Sequence, residues 1–235
     1  DCAYTAKPYH KEDHAGVVYT ITAQAGQKFR VTKYLSYHTS HSATVHALAN
    51  RAERTLARSI DNGWENLCDS QRRYVDDFWR RSDVRISGDL KVQQSLRWNL
   101  FQLLQASARA EGAGIGARGL TGQTYEGHYF WDTEIYVLPF LIYTAPRIAG
   151  NLLRFRHGML DAARRRASQV GEKGALFPWR TINGEEASAY YAAGTAQYHI
   201  NADIVFAAEK FVSNGAVPDC THIVFVDPEG YRRLG

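Results

Sequence analysis

Arg118-Gly-Leu-Thr-Gly-Gln-Thr-Tyr-Glu-Gly-His-Tyr-Phe-Trp-Asp-Thr-Glu134 is the stretch on which the reading of this chain turns. Gly119, Gly122 and Gly127 interrupt regular structure, and a dense run of polar and aromatic groups follows: Tyr125, Glu126, His128, Tyr129, Trp131, Asp132 and Glu134. Two readings fit. In the first, Trp131 offers an indole face to the C–H face of a pyranose, and Asp132 accepts hydrogen bonds from neighbouring hydroxyls. In the second, the stretch is a glycine-rich connection leading into an aromatic core helix. Both place a loop-to-helix junction here, and loops held by rigid elements are where binding residues concentrate.

Outward from this junction the sequence is mostly helical in period. Toward the N-terminus, His46, Ala49, Ala57 and Ile60 mark one helix that stops at Asp61-Asn62-Gly63. Trp64, Leu67, Tyr74, Val75, Phe78 and Trp79 mark a second. A third runs from about Leu90 to Ala110 on Leu96, Leu100, Leu103, Leu104 and Ala108. Toward the C-terminus, a helix spans Thr133 to about Tyr143. Pro146 opens a long one with Ile148, Leu152, Leu153, Phe155, Leu160 and Ala163 inward. Arg164, Arg165 and Arg166 complement its C-terminal dipole, and Gly171 and Gly174 end it. A last helix covers about Gln197 to Phe211.

Two segments depart from this pattern. Gly16–Ala23 and Lys28–Tyr37 read as strands, closed into a hairpin by Gln24–Gln27. A lone hairpin is marginal, so further strands are expected before residue 1. His222–Val226 reads as a short strand followed by a turn at Asp227-Pro228-Glu229-Gly230. The predicted fold class is mainly α, helix after helix in a toroid of helix pairs whose site is built from loops at one end.

Bulk composition excludes several classes. With 45% hydrophobic and 22% charged residues and a net charge of +4, the chain is an ordinary globular one. Its basic residues are spread along helices, so no nucleic-acid partner is expected. No apolar run approaches the roughly 18 residues that span a bilayer, and no membrane partner is expected. The three cysteines are far apart and odd in number. They fit neither a disulfide framework nor a zinc site and suit a cytoplasmic setting. The literal G-x-G-x-x-G of Gly114–Gly119 follows a helix rather than a strand, so it is read as a helix exit and not a dinucleotide loop. The chain starts without methionine, and Met159 is its only one, which reads as a piece of a longer protein.

A second site-like loop runs from Phe177 to His199 and contains Trp179, Arg180, Glu185, Glu186 and the polar run Tyr190 to Asp203. Glu185 and Glu186 are either sugar-hydroxyl acceptors or a solvated turn. His199 and Asp203 share a helix face and are better read as a buried hydrogen-bonded pair than as metal ligands, because no third ligand stands at metal spacing. Asp132, Glu134, Glu126, Glu185 and Glu186 are of the type needed for acid catalysis on a glycosidic bond, but their spacing selects none.

Gly119-Leu-Thr-Gly122, Gly127-His-Tyr-Phe-Trp-Asp-Thr-Glu134, Phe177-Pro-Trp179, Gly194-Thr-Ala-Gln-Tyr-His-Ile-Asn-Ala-Asp203 and the helix at Leu96–Phe101 together resemble glycoside hydrolase family 65, the family of maltose, kojibiose, nigerose and trehalose phosphorylases. The resemblance covers roughly residues 80 to 211, and it implies that residues 1–40 are the last strands of an N-terminal β-sandwich, 41–87 a helical linker and 88–235 the start of a partial (α/α)6 barrel with an atypical tail from about residue 213. It implies an inverting reaction in which phosphate attacks the anomeric carbon of an α-glucoside, giving β-glucose 1-phosphate and a free acceptor sugar. It assigns Trp131 and Asp132 to the glucose beside the scissile bond and the loop from Arg180 to Tyr191 to the acceptor. The full expected binding set is Trp131, Asp132, His128, Trp179, Arg180, Glu185, Glu186 and His199. No catalytic residue is assigned, because the family's general acid sits in a Gly-Pro-Asp-Glu type motif that this sequence lacks. The expected partners are a disaccharide or α-glucoside, maltose by default, and inorganic phosphate as co-substrate. No cofactor or metal is expected, and a homodimer is admitted for a full-length protein. The chain alone is expected to be inactive, with exposed apolar faces. A hydrolase of the same family and a non-catalytic carbohydrate-binding domain are the alternatives.

Overall fold

The computed structural model of the chain describes residues 3–40, 43–107, 112–120, 124–190 and 197–214. The chain divides into two compact units, Asp1–Leu67 and Cys68–Gly235. The expected strand at His222–Val226 and the turn after it lie outside the described residues.

In the first unit, β1 (Tyr4–His10) pairs antiparallel with β2 (Ala15–Ile21), with Tyr4 opposite Ile21 and His10 opposite Ala15. The hairpin is therefore one segment earlier than the sequence predicts. The alternating run from Lys28 to Tyr37 takes no strand pairing, and the segment before His14, which shows no clear pattern, supplies the partner instead. Alternation marks a surface that could pair but does not choose the partner. The turn at Gln24–Gln27 does form: the Gln27 N–H donates to the Gln24 carbonyl at 3.0 Å, with Gly26 at φ +81°. No described side chain of residues 3–67 is buried.

Helix α1 (Val45–Ser82) runs 38 residues and is broken at Gly63, where φ is 74° and ψ 163°. The stop expected at Asp61-Asn62-Gly63 is thus a local break between two helical halves, taken by the one residue without a β-carbon penalty there. Helix α2 (Leu90–Ser107) begins with the Asp89 carboxylate accepting from the Lys91 and Val92 N–H groups, an N-cap on its first turn.

The remaining helices build the core of the second unit. Thr133–Val137 winds as a π-helix and continues into α3 (Leu138–Thr144), with Pro139 in the first turn of α3 where its missing N–H is tolerated. Pro146 opens α4 (Pro146–Gly158), which ends at Met159, and α5 (Leu160–Gln169) follows at once. The single helix expected here is therefore two. Met159, at φ −89° and ψ −4°, ends the first, and its side chain is buried in the break. Helix α6 (His199–Ser213) closes the described chain.

One buried cluster joins Ile115, Leu138, Leu141, Ile142, Leu152, Leu153 and Phe211, so α3, α4 and α6 share a core with the glycine-rich segment. A second joins Met159, Ala163, Phe177, Ile200 and Ile204, with Trp131 and Trp179 packed on its edge. Phe78, Leu100 and Leu104 form a third. The chain is mainly helical with small antiparallel sheets. Among the described residues no helix is long and apolar enough to cross a membrane.

Candidate functional site

The two loops singled out in the sequence are joined. β3 (Tyr129–Phe130) pairs antiparallel with β4 (Arg180–Thr181), with Tyr129 opposite Thr181 and Phe130 opposite Arg180. The pairing is short, and aromatic packing reinforces it. Phe130 meets Trp179 edge-on at 5.2 Å between ring centres and Tyr125 at 5.3 Å.

The approach to β3 is glycine-dependent. A β-carbon on Gly114 would fall 2.2 Å from the Tyr129 ring and 2.5 Å from that of Phe155, and Gly116 lies against the Gly127 backbone. The Ala117 N–H donates to the His128 carbonyl at 3.0 Å, and Ile115 is buried. The segment expected to be a simple helix exit is instead packed against the site loop, and its glycines serve close approach rather than flexibility. Just before β3, Tyr125 (φ 64°) and Glu126 (φ 52°) are consecutive non-glycine residues in the left-handed region. Such a conformation costs energy and persists only where its surroundings enforce it, commonly at functional sites.

Trp131 and Asp132 follow at the turn into the π-helix. Trp131 is half-buried, its ring 4.8 Å from and nearly perpendicular to the His199 imidazole. Asp132 is exposed and occupies the N-cap position, yet its carboxylate makes no capping hydrogen bond. An exposed, uncommitted acid beside an anchored indole is the pairing that suits a sugar. π-Helical turns also recur at functional sites, where they shift a residue out of helical register.

Beneath this turn lies a buried charged group. The Arg156 guanidinium on α4 donates from Nε to Glu134 Oε1 at 2.9 Å and from Nη2 to Oε2 at 3.2 Å, and the Tyr129 hydroxyl donates to Oε1 at 2.6 Å. Arg156 and Glu134 have no exposed surface. Burial, and then the facing Glu134 carboxylate, push the Tyr129 phenol well above its ordinary range. Burial alone lowers the pKa of Arg156, but Glu134 and Tyr129 hold it above its usual value. Glu134, one of the candidate acids, is thereby committed to a fixed ion pair.

The other predicted residues spread along the second loop. Arg180 donates from Nη2 to Glu126 Oε2 at 3.2 Å. His128 donates from Nδ1 to the Tyr125 carbonyl at 2.8 Å, so that nitrogen carries the proton, and the 3.3 Å approach of Arg180 to it is a contact without a hydrogen bond. Glu186 accepts from the backbone N–H groups of Trp179 (2.7 Å), Arg180 (3.2 Å) and Ser188 (2.9 Å) and so shapes the loop from inside. Glu185 is exposed and pairs with Arg165 on α5 at 2.8 Å. His199 donates from Nδ1 to Asp203 Oδ2 at 2.7 Å, the pair expected from their spacing, though at the surface. Residues 191–196 lie outside the described residues. Among the described residues no group of His, Cys, Asp and Glu side chains could hold a metal.

Sequence reading includes Asn201 in the second loop without giving it a role, and it does not single out Arg156. Asn201 accepts from the Phe177 N–H at 3.1 Å and donates to the Ala175 carbonyl at 2.6 Å, tying the start of the second loop to α6. Arg156 was detectable, because Ala149, Leu152, Leu153 and Arg156 fall on one helical stripe and an arginine on an apolar stripe needs a buried partner.

Comparison with known proteins then settles the family. The model of the glycosyl hydrolase family 65 central catalytic domain matches residues 97–217, and that of the family's N-terminal domain matches residues 2–78. The chain belongs to glycosyl hydrolase family 65. An α,α-trehalose phosphorylase of Thermoanaerobacter brockii is 45% identical over 212 residues, which is 90% of this chain and 27% of that protein. A maltose phosphorylase of Bacillus subtilis is 34% identical over 191 residues, 79% of this chain and 25% of that protein. A solved structure of a putative kojibiose phosphorylase from the human microbiome superposes with a TM-score of 0.68 at 29% identity, covering 83% of this chain and 24% of the other. The family 65 chain described here thus spans about a quarter of the length of the relatives it matches.

Proposed function

We propose that these residues contribute the glucose-binding part of an inverting α-glucoside phosphorylase. The observation that carries the reading is the exposed, uncapped Asp132 beside the half-buried Trp131 in a family 65 domain. In this reading Trp131 stacks on the glucose at the scissile bond and Asp132 accepts hydrogen bonds from its hydroxyls. A phosphate oxygen attacks the anomeric carbon as the glycosidic C–O bond breaks. One carboxylic acid protonates the departing oxygen, giving β-glucose 1-phosphate and the acceptor sugar. The helices from residue 88 onward open a partial (α/α)6 barrel, residues 1–40 contribute strands of an N-terminal β-sandwich, and residues 41–87 link the two.

The family resemblance puts the donor of that proton in a Gly-Pro-Asp-Glu type motif outside this chain, and the candidate acids of the two loops have other partners. Glu134 is held by Arg156 and Tyr129, Glu186 by three backbone N–H groups, and Glu185 and Glu126 by arginines. In this reading the loop from Arg180 to Tyr191 shapes the acceptor side, and Trp179, His128 and His199 complete the sugar-binding set. Maltose is the family default, but the higher identity to a trehalose phosphorylase than to a maltose phosphorylase favours α,α-trehalose as the disaccharide. Phosphate is the co-substrate, and the mechanism requires no cofactor.

The test is phosphorolysis by the protein at its natural full length, with α,α-trehalose, maltose and kojibiose offered with and without phosphate. Phosphate-dependent release of β-glucose 1-phosphate from trehalose is expected, and Asp132→Ala should lower kcat/KM by about 100-fold or more, since positioning errors of this kind carry such factors. Release of free glucose irrespective of phosphate would make the protein a hydrolase. Binding without turnover would make it a sugar-binding domain.

A further inference from the structure

Tyr129 and Glu134 stand at the two ends of the short segment that carries Trp131 and Asp132. The 2.6 Å hydrogen bond from the Tyr129 hydroxyl to Glu134 Oε1 closes that segment on itself, and the Glu134 N–H donates to the Trp131 carbonyl at 3.0 Å inside it. Arg156 then fastens the closed turn to α4 through two hydrogen bonds to the same carboxylate, while its guanidinium lies 4.5 Å from the centre of the Tyr129 ring. Three polar side chains thus meet out of contact with solvent, two of them flanking the segment that holds the exposed Asp132.

Stability alone is a poor reason for this arrangement. A buried ion pair gains little over well-packed apolar side chains of similar volume, because the desolvation of both charges offsets their attraction. What a bidentate arginine–carboxylate pair does supply is fixed geometry, since the planar fork admits one orientation of the carboxylate. The glycine at position 114 points the same way. Its absent β-carbon lets the Tyr129 ring sit against the backbone, so the ring is held by close packing as well as by Arg156 and Glu134.

We propose that Tyr129, Glu134 and Arg156 act as a positioning clamp that sets the height and orientation of the Trp131–Asp132 turn against the bound sugar. They are positioning residues and touch no substrate. The inference rests on the proposed role of Asp132, but its structural half can be tested without it.

The deciding variant is the paired replacement Glu134→Leu with Arg156→Met, which removes both charges together and leaves neither unpaired. Tyr129→Phe is the milder companion, keeping the ion pair and losing only the hydrogen bond that closes the turn. Each is measured in the full-length protein by thermal midpoint, by amide hydrogen exchange over residues 130–134, and by trehalose phosphorolysis. The clamp predicts only a modest fall in the midpoint for the paired variant, because the buried Tyr129 hydroxyl loses its acceptor. It also predicts faster exchange confined to residues 130–134 and a fall in kcat of about 100-fold, with KM moving far less. For Tyr129→Phe it predicts roughly a 10-fold fall in kcat and a smaller change in exchange. A paired variant that keeps wild-type kcat and wild-type exchange overturns the proposal and leaves an ion pair of no functional consequence. A midpoint collapse with exchange rising throughout the second unit also overturns it, in favour of general core packing. If the wild-type protein carries out no phosphorolysis, the functional reading fails by itself. Local exchange at residues 130–134 in the paired variant then decides whether the clamp holds the turn.

Discussion

At the scale of single residues, Gly114 and Tyr129 carry the most exposed consequences. A methyl group at position 114 meets aromatic rings on two sides. Gly114→Ala should therefore destabilise the second unit by about 1–3 kcal/mol, the range of overpacked cores, measurable as a shift in the urea midpoint. Tyr129 gives a pH signature. Its folded phenol is held protonated well above the ordinary value, by burial first and by Glu134 second. The unfolded phenol ionises near pH ~10, so the contribution of Tyr129 is complete below that pH and is lost as pH rises toward the folded pKa. The thermal midpoint should begin to fall as pH rises past about 10, the free phenol pKa, and keep falling toward the folded pKa, and Tyr129→Phe should flatten that fall. These side chains also show where sequence reading stops. Tyr129 and Glu134 were visible as members of a polar aromatic run, but their commitment to Arg156 was not, because a pairing across 22 residues leaves no local pattern.

At the scale of elements, the helices were legible and their joints were not. Apolar periodicity located α2 and α6 to within a few residues, and the outer limits of the helical runs that hold α3 and of those that hold α4 and α5, since a helix declares its buried face in its own spacing. The break at Met159, the π-helical turn and the hairpin partner of β2 depend on tertiary packing and strand choice, which spacing does not record. The site loops fall between. Their residues were named from sequence, and the two-residue ladder between β3 and β4 that joins them was not. Glu186 illustrates the difference: a candidate sugar acceptor by type, it accepts three backbone N–H groups of its own loop. Glu186→Ala should raise hydrogen exchange at Trp179, Arg180 and Ser188 while leaving α4 and α6 unchanged. It should cost about 1.5–3 kcal/mol, the worth of one hydrogen bond to a charged group, with the others replaced by water.

At the scale of the whole molecule, the two units differ in kind. Three buried clusters fill the second, whereas no described side chain of residues 3–67 is buried and Tyr4, Val17, Val18, Tyr19, Phe29 and Val31 are exposed. Amide exchange on this chain should therefore show the β1–β2 hairpin opening with almost no protection while α3, α4 and α6 exchange only through cooperative unfolding. Equal protection in both units would contradict that ranking. The junction of the two site loops also bears on protein engineering. Arg180 on one strand reaches Glu126 ahead of the other, 54 positions away. Chimeras that import only residues 180–190 from a family 65 relative would inherit a foreign partner for Glu126, so if the proposed function holds, acceptor preference should follow only when residues 124–130 and 180–190 are transplanted as one cassette.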